Sequence, residues 1–281
     1  MHHLTAIVTG ASEGLGKCIA FELANYGVNL VLVSLPESGL PQLCDFIKKN
    51  YHVNVHKIET DLCRFENYES IFNELKEAGI RVDILINNAG VGNFALFLDK
   101  SLAFYKSQIQ LNAMVPVLLT RLFLEQVKDN SPCYILNVGS LGGRFIMPQK
   151  QVYGATKSFV RYFTNCLRLE LCDTNVSVSL LSPGGINTKP ELLVLHNSLK
   201  GLSRASILEP EAVARIAIKG MFAGKKEIVP GRLNQLLVLL DSLLPAEIKD
   251  IIMKRRMKKI VSKNTHIQSA HAESLLKESM P

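Results

Sequence analysis

Between residues 4 and 181 the chain repeats one pattern six times: a short run dominated by Val, Ile and Leu, then an amphipathic stretch. The runs are LTAIVT (4–9), VNLVLVS (28–34), VNVHKI (53–58), VDILIN (82–87), CYILNV (133–138) and VSVSLL (176–181). They are mostly unbroken by charge, as strands buried on both faces of a parallel sheet must be. Helical spacing fills the gaps at 14–26, 38–50, 67–78, 101–129 and 151–173. Few architectures accept this order. Parallel strands need crossover connections, the crossovers are right-handed, and the strand C-termini then gather on one ligand-binding edge. The pattern predicts an α/β chain with a single doubly wound parallel sheet and helices on both faces. A helix over 209–223 and a short strand over 226–229 complete it.

The chain has 281 residues and 47% hydrophobic content, enough for one large α/β domain. That domain is expected to span 1–230. Residues 183–207 form a long irregular insertion at the ligand edge and read as a substrate lid. Residues 231–262 follow as an amphipathic, basic helical extension, and 263–281 as a polar tail. The formal charge of +7 is concentrated: residues 249–263 hold seven Lys/Arg against Asp250 alone. A nucleic-acid-binding domain would spread its basic residues over a folded face, so no nucleic acid is expected. The six cysteines form no Cys-x-x-Cys pair and no zinc spacing, so no metal is expected and the thiols read as reduced and mostly buried. No secretory signal pattern and no uninterrupted apolar window of membrane-spanning length is visible, which points to the cytoplasm.

The first strand ends in TGASEGLG, with glycines at 10, 14 and 16, and a helix pattern follows at once. Glycine permits a tight turn and lets a pyrophosphate reach backbone N–H groups at the helix N-terminus. The place of the loop, at the start of a βαβ unit, carries more weight than the glycines themselves. Further on, VYGATKSFV puts Tyr153 and Lys157 one helical turn apart on one face. A free phenol titrates near about 10 and is a poor acid or base at neutral pH; a neighbouring ammonium stabilises phenolate and makes it usable. Ser140, after the fifth strand, carries a hydroxyl able to orient a carbonyl oxygen, or merely to cap a turn. Asn112 is a poor mid-helix residue, and Pro116 removes the N–H that would meet its carbonyl.

Taken in order, these motifs resemble the short-chain dehydrogenase/reductase family. The loop Gly10–Gly16, Asp61–Leu62 after strand three, NNAG at 87–90 after strand four, Asn112, Ser140, Tyr153 with Lys157, and SPGGINT at 182–188 are similar to that family's motifs in its order. The nearest likeness is to hydroxysteroid and long-chain β-ketoacyl reductases. The resemblance covers about two thirds of the chain and implies a Rossmann-like fold and an NAD(P)-dependent oxidoreductase acting on CH–OH or C=O groups. It implies catalytic roles for Asn112, Ser140, Tyr153 and Lys157, with Asn112 holding a water that links Lys157 to solvent. It implies dinucleotide contacts from Gly10, Ser12, Glu13, Gly14, Leu15, Gly16, Ser34, Asp61, Leu62, Asn88, Ala89, Gly90, Tyr153, Lys157, Pro183, Gly184, Ile186 and Thr188. The other reading of the same fold is a dinucleotide-binding scaffold or regulator without catalysis. Retention of Ser140, Tyr153, Lys157 and Asn112 argues against it.

A carboxylate at the end of strand two would favour NAD, and an arginine just after it NADP. Ser34 and Leu35 stand there instead. The missing acid removes repulsion against a 2′-phosphate, Ser34 can donate to it, and Lys17 is close in sequence, so the expectation is NADP. Phe94, Phe145, Met147 and the lid residues Leu192 and Leu193 suggest an apolar, lipid-like or steroid-like substrate, hence a place in lipid metabolism. Phe97 reads equally as pocket or core. The paired long helices suit a homodimer or homotetramer, as in many relatives. Two readings of 232–262 stand side by side: an extension packed on the domain or on a second subunit, and a peripheral anchor at the inner membrane surface, with basic residues on anionic headgroups.

Overall fold

The computed structural model describes residues 4–127, 131–188, 201–245, 247–255 and 257. Leu192 and Leu193 of the expected lid, and the polar tail, lie outside the described residues.

Seven strands form one parallel sheet in the order β3-β2-β1-β4-β5-β6-β7. They are β1 (Thr5–Thr9), β2 (Asn29–Ser34), β3 (Val55–Glu59), β4 (Ile84–Asn87), β5 (Cys133–Val138), β6 (Val176–Leu181) and β7 (Glu227–Ile228). The order reverses between β1 and β4, which opens a crevice at their C-terminal ends. Both sheet faces are covered, so each strand divides its residues by parity. Val8, Leu30, Leu32 and Ile86 meet Ile19, Leu23, Ile47 and Ile218 on one face. Ile7, Val31, Leu85 and Ile135 meet Ile71, Phe72, Leu119 and Phe123 on the other. The helices of the first face are α1 (Gly14–Asn25), α2 (Leu40–Asn50) and α7 (Pro210–Phe222). Those of the second are α3 (Glu66–Glu77), α5 (Val115–Glu125) and α6 (Gln151–Glu170), with α4 (Leu102–Ile109) leading into α5.

The helix expected over 101–129 is interrupted. A π turn, Gln110–Met114, lies between α4 and α5, and the Val115 N–H reaches the Gln110 carbonyl five residues back. Pro116 explains this: it has no N–H to return to Asn112, and its ring crowds the carbonyl four residues earlier, so the ladder widens. The thiols also differ from expectation. All six are free, but only Cys44 and Cys133 are buried, and Cys166 and Cys172 are exposed.

A buried polar chain joins the strand ends that carry the site. Asn87 and Asn137 are neighbours in the β4–β5 register. Asn87 Nδ2 donates to Asn137 Oδ1 (2.8 Å) and Thr120 Oγ1 (3.1 Å), and Asn137 Nδ2 donates to Thr164 Oγ1 (2.9 Å). Two strands and two helices are thereby fixed at one level by groups that would be costly to leave unpaired.

Past β7, α8 (Arg232–Leu243) and a second helical stretch at 247–255 form the extension. Its inner face is packed on the domain. Asn234 is 1% exposed and donates to Pro230 O (2.9 Å) and Ser206 O (3.1 Å). Asp241 lies 3.9 Å from Arg144 and 3.2 Å from Lys249, and Arg144 lies 3.8 Å from Glu227 on β7. The outer face is apolar and open: Leu236, Leu239, Leu240 and Leu243 are half to three-quarters exposed, and Ile248, Ile251 and Ile252 continue the stripe.

Candidate active site

The glycine loop leaves β1 at Gly10 (φ +64) and enters α1 at Gly14 (φ +54), both in the left-handed region that glycine tolerates. Gly16 is buried, and a Cβ there would collide with the Gly10 carbonyl oxygen. Glu13 is the N-cap residue of α1, but no side chain caps the helix and its first turn holds no acid. Its N–H groups suit a diphosphate. Leu15 seats the loop in the core. Ser12 Oγ and Ser34 Oγ meet at 2.7 Å, so the loop and the end of β2 present one paired hydroxyl site. Lys17 instead reaches toward the Phe21 ring, 5.9 Å away.

The other expected dinucleotide residues line the same crevice edge. Asp61 Oδ1 accepts the Cys63 N–H (2.8 Å), while the buried Leu62 accepts the Tyr68 hydroxyl at its carbonyl (2.8 Å). Asn88 Nδ2 donates to Thr9 O (2.8 Å) and Gly10 O (3.2 Å), and the Asn88 and Ala89 N–H groups both donate to Thr9 Oγ1 at 3.0 Å. Pro183 O accepts the Leu141 N–H (2.9 Å), Gly184 lies against Asn234, Ile186 bridges Leu208, and Thr188 touches the space above Gly14. These groups fit a dinucleotide: bare backbone at the two loop glycines, an uncapped helix end, and hydroxyls where a ribose would lie.

Ser140, Tyr153, Lys157 and Asn112 come together at the far end of this crevice. Ser140 caps a 3-10 turn (Leu141–Gly143), accepting the Gly142 N–H at 3.0 Å, and its Oγ and Tyr153 Cε1 lie 3.3 and 3.4 Å from the position of a Cβ on Gly142. The turn-capping reading of Ser140 is realised, and the cap sets its hydroxyl on the Tyr153 side of the turn. Lys157, 5% exposed, donates to Val138 O at 2.7 Å, and its Nζ lies 5.9 Å from the Tyr153 ring centroid. Asn112 is fully buried in the π turn; Oδ1 accepts Val91 N–H (2.8 Å) and Nδ2 donates to Val91 O (2.9 Å) and Thr156 Oγ1 (3.2 Å). A Cβ at Gly90 would lie 3.0 Å from Asn112 Oδ1 and 3.5 Å from Lys157 Nζ, so glycine keeps this corner open.

The protonation balance differs from the sequence argument. Burial raises the Tyr153 phenol above the ordinary tyrosine value, with the neighbouring Ser140 hydroxyl pulling the other way. Burial lowers Lys157 to about 8. Desolvation disfavours both charged forms, and no lowering by Lys157 offsets it.

The expected pocket residues divide. Phe94 is half exposed and stands beside Tyr153 through Lys150, whose Nζ lies 3.9 Å from the Phe94 centroid and 4.9 Å from the Tyr153 centroid. Met147 is near Tyr153 too: both flank the position of a Cβ on Gly142, at 3.3 and 3.4 Å. Phe145 instead shares with Met147 a cavity of about 520 Å³ whose opposite wall is Met253, Lys254 and Met257 of the extension. Phe97 is 54% exposed and stacks on Tyr105. Sequence reasoning missed Thr9, which pins the NNAG turn to β1, and Asn234, which seats the extension behind Gly184. It also missed Lys150. Only Lys150 had a visible signal, its position three residues before Tyr153 on the same helix face.

Fold and glycine loop define a dinucleotide-binding α/β protein. Residues 4–192 match the family model described as short chain dehydrogenase, and the chain belongs to that NAD(P)-dependent family. It is 33% identical over 188 residues to the very-long-chain 3-oxoacyl-CoA reductase-B of Danio rerio, covering 66% of this chain but only 60% of that protein's length. A short-chain dehydrogenase from Sphingobium yanoikuyae, solved with NADPH, superposes with TM-score 0.72 at 25% identity over 92% of this chain and 95% of its own. One from Burkholderia phymatum, solved with NAD, shares the fold with TM-score 0.75 at 23% identity over 90% and 95%. No described helix is long and apolar enough to cross a membrane.

Proposed function

We propose that this protein interconverts a ketone and a secondary alcohol on an apolar, lipid-like or steroid-like compound, with NADP preferred over NAD. The observation that carries the reading is the convergence of Ser140, Tyr153, Lys157 and Asn112 on one corner of the crevice, opposite the glycine loop. The bound dinucleotide supplies or accepts the hydride. Tyr153 gives a proton to the substrate oxygen in reduction and takes it in oxidation. Its raised pKa keeps the phenol protonated at neutral pH, as a donor must be. Ser140, whose hydroxyl lies beside Tyr153, orients the same oxygen. Lys157 holds the ribose and returns a proton toward Tyr153; Asn112 shapes that path by holding the Val91 backbone and Thr156 in place. The Ser12–Ser34 pair, without an acid at the end of β2, supports NADP.

Phe94 and Met147 support an apolar substrate, and with it a role in lipid metabolism. The open outer stripe of α8, followed by Lys254 and Arg255, supports peripheral contact with an anionic membrane from the cytoplasmic side. In the proposed organisation, 1–230 is the catalytic domain, with 183–207 as its substrate lid, and 231–262 an amphipathic, basic helical extension. The apolar face shared by α4, α5 and α6, with Ile109, Met114 and Phe159 exposed, supports a homo-oligomer. The test is Tyr153→Phe assayed by cofactor absorbance over graded ketones and alcohols. Turnover should fall by about 10²–10⁴-fold with dinucleotide affinity nearly intact. Unchanged turnover would overturn the assignment and favour a non-catalytic dinucleotide-binding protein.

A further inference from the structure

Tyr153 has a second cation beside it, nearer to its ring than Lys157: Lys150 Nζ at 4.9 Å against 5.9 Å. The two aromatic rings it lies over hold it in place, but the helix it precedes does not favour it. Lys150 is the N-cap residue of the twenty-residue helix α6 and makes no capping hydrogen bond with its side chain. A positive charge there is repelled by the helix dipole, and no acid in the first turn compensates. Burial lowers its pKa to about 8, with no charged neighbour contributing. The residue before it, Gln149, sits at φ +64, a conformation uncommon outside glycine, and its carbonyl is caught by the Ala95 N–H at 3.2 Å. That bond ties the turn to the 91–96 loop, and the turn delivers Lys150 onto Phe94 of that loop and onto Tyr153. The neighbouring cations are engaged: Arg144 with Glu227 and Asp241, Lys157 with Val138 O. A lysine at a helix N-terminus that is partly dehydrated, has no carboxylate partner among the described residues and is set behind a strained turn breaks four local preferences beside the reacting group. Such coincidences mark function.

We propose that Lys150 is a specificity-determining residue that holds a negatively charged oxygen of the substrate. The preferred substrate is then an apolar oxo or hydroxy compound bearing a carboxylate within a few bonds of the reacting carbon. The inference rests on the reading of Tyr153 as proton donor. An anion against the Lys150 ammonium also meets the positive end of α6 and lies beside the Tyr153 ring, whose centroid is 4.9 Å from Nζ. The short distance sets the short spacer. Phe94 and Met147 receive the apolar remainder.

The experiment compares medium-chain 3-hydroxycarboxylates with their uncharged methyl esters in the wild type, Lys150→Met and Lys150→Arg, all verified as folded by thermal melts. The readout is the ratio of kcat/KM for acid over ester within each protein, which cancels general damage. The wild type should favour the acid. The ratio should fall by about tenfold to a hundredfold in K150M and largely survive in K150R. A K150M ratio equal to the wild type's, or a wild type that favours the ester, overturns the proposal. Calorimetric binding of the acid to NADP-loaded Y153F, with and without K150M, gives the same comparison without turnover. Equal binding there also overturns it. Loss of turnover in Y153F with an unmoved K150M ratio removes the role of Lys150 alone. Full turnover in Y153F removes the proposed reaction, and the acid-over-ester ratio of K150M against the wild type still judges Lys150.

Discussion

Dinucleotide binding should weaken as pH rises through about 8. Lys157 is 5% exposed, its ammonium donates to Val138 O, and burial lowers its pKa to about 8. For a base with a depressed pKa, the charged form dominates below that value and is lost above it. In the proposed function the charged form holds the ribose. If only that form binds and the complex retains its proton, Kd is constant below about pH 7 and doubles near pH 8. It then rises about tenfold by pH 9 and about a hundredfold by pH 10. Titration calorimetry with NADPH between about pH 6.5 and about pH 9.5 measures this without turnover. Lys157→Met should bind weakly with no bend in its profile. Lys150 also titrates near about 8, so Lys150→Met is the control and should keep the bend. A flat wild-type profile, or a K157M profile that still bends near 8, would refute the argument.

Three further outcomes are expected. Ser34→Asp puts a carboxylate beside Ser12, in place of the hydroxyl that now lies 2.7 Å from Ser12 Oγ, and should raise KM for NADPH about tenfold or more relative to NADH, read from paired kinetics. Asn137→Leu strips Asn87 and Thr164 of a buried partner and should lower stability by about 1–3 kcal/mol in urea unfolding. Leu239→Glu with Leu243→Glu should abolish co-sedimentation with phosphatidylglycerol vesicles while leaving the melting temperature near the wild type's, since both side chains are exposed. A wild type that does not sediment would count against membrane contact.

The sheet was legible because strands buried on both faces cannot hide: β5 and β6 begin and end where their apolar runs do. Helix limits were legible to within a few residues except at Pro116, whose effect on the ladder depends on the carbonyl it faces. The glycine loop and the Tyr153–Lys157 spacing were legible for a similar reason, since both are local patterns. The protonation balance was not. Proximity in sequence suggested an acidified phenol, whereas burial, a property of the packed crevice, moves Tyr153 and Lys157 the other way. The extension was legible as helical and apolar, but its two faces were not separable until Asn234 and Asp241 were seen to hold the inner one.

Sequence alone determined the periodic order of strands and helices, the crevice edge, and the identity of the groups placed there, because backbone propensity and turn chemistry act over a few residues. Tertiary structure alone decided which hydroxyls meet, which cations lie dry, and that Lys150 rather than Lys157 is nearer the Tyr153 ring. Those depend on distances between segments far apart in the chain, and on how much water the packing leaves between them.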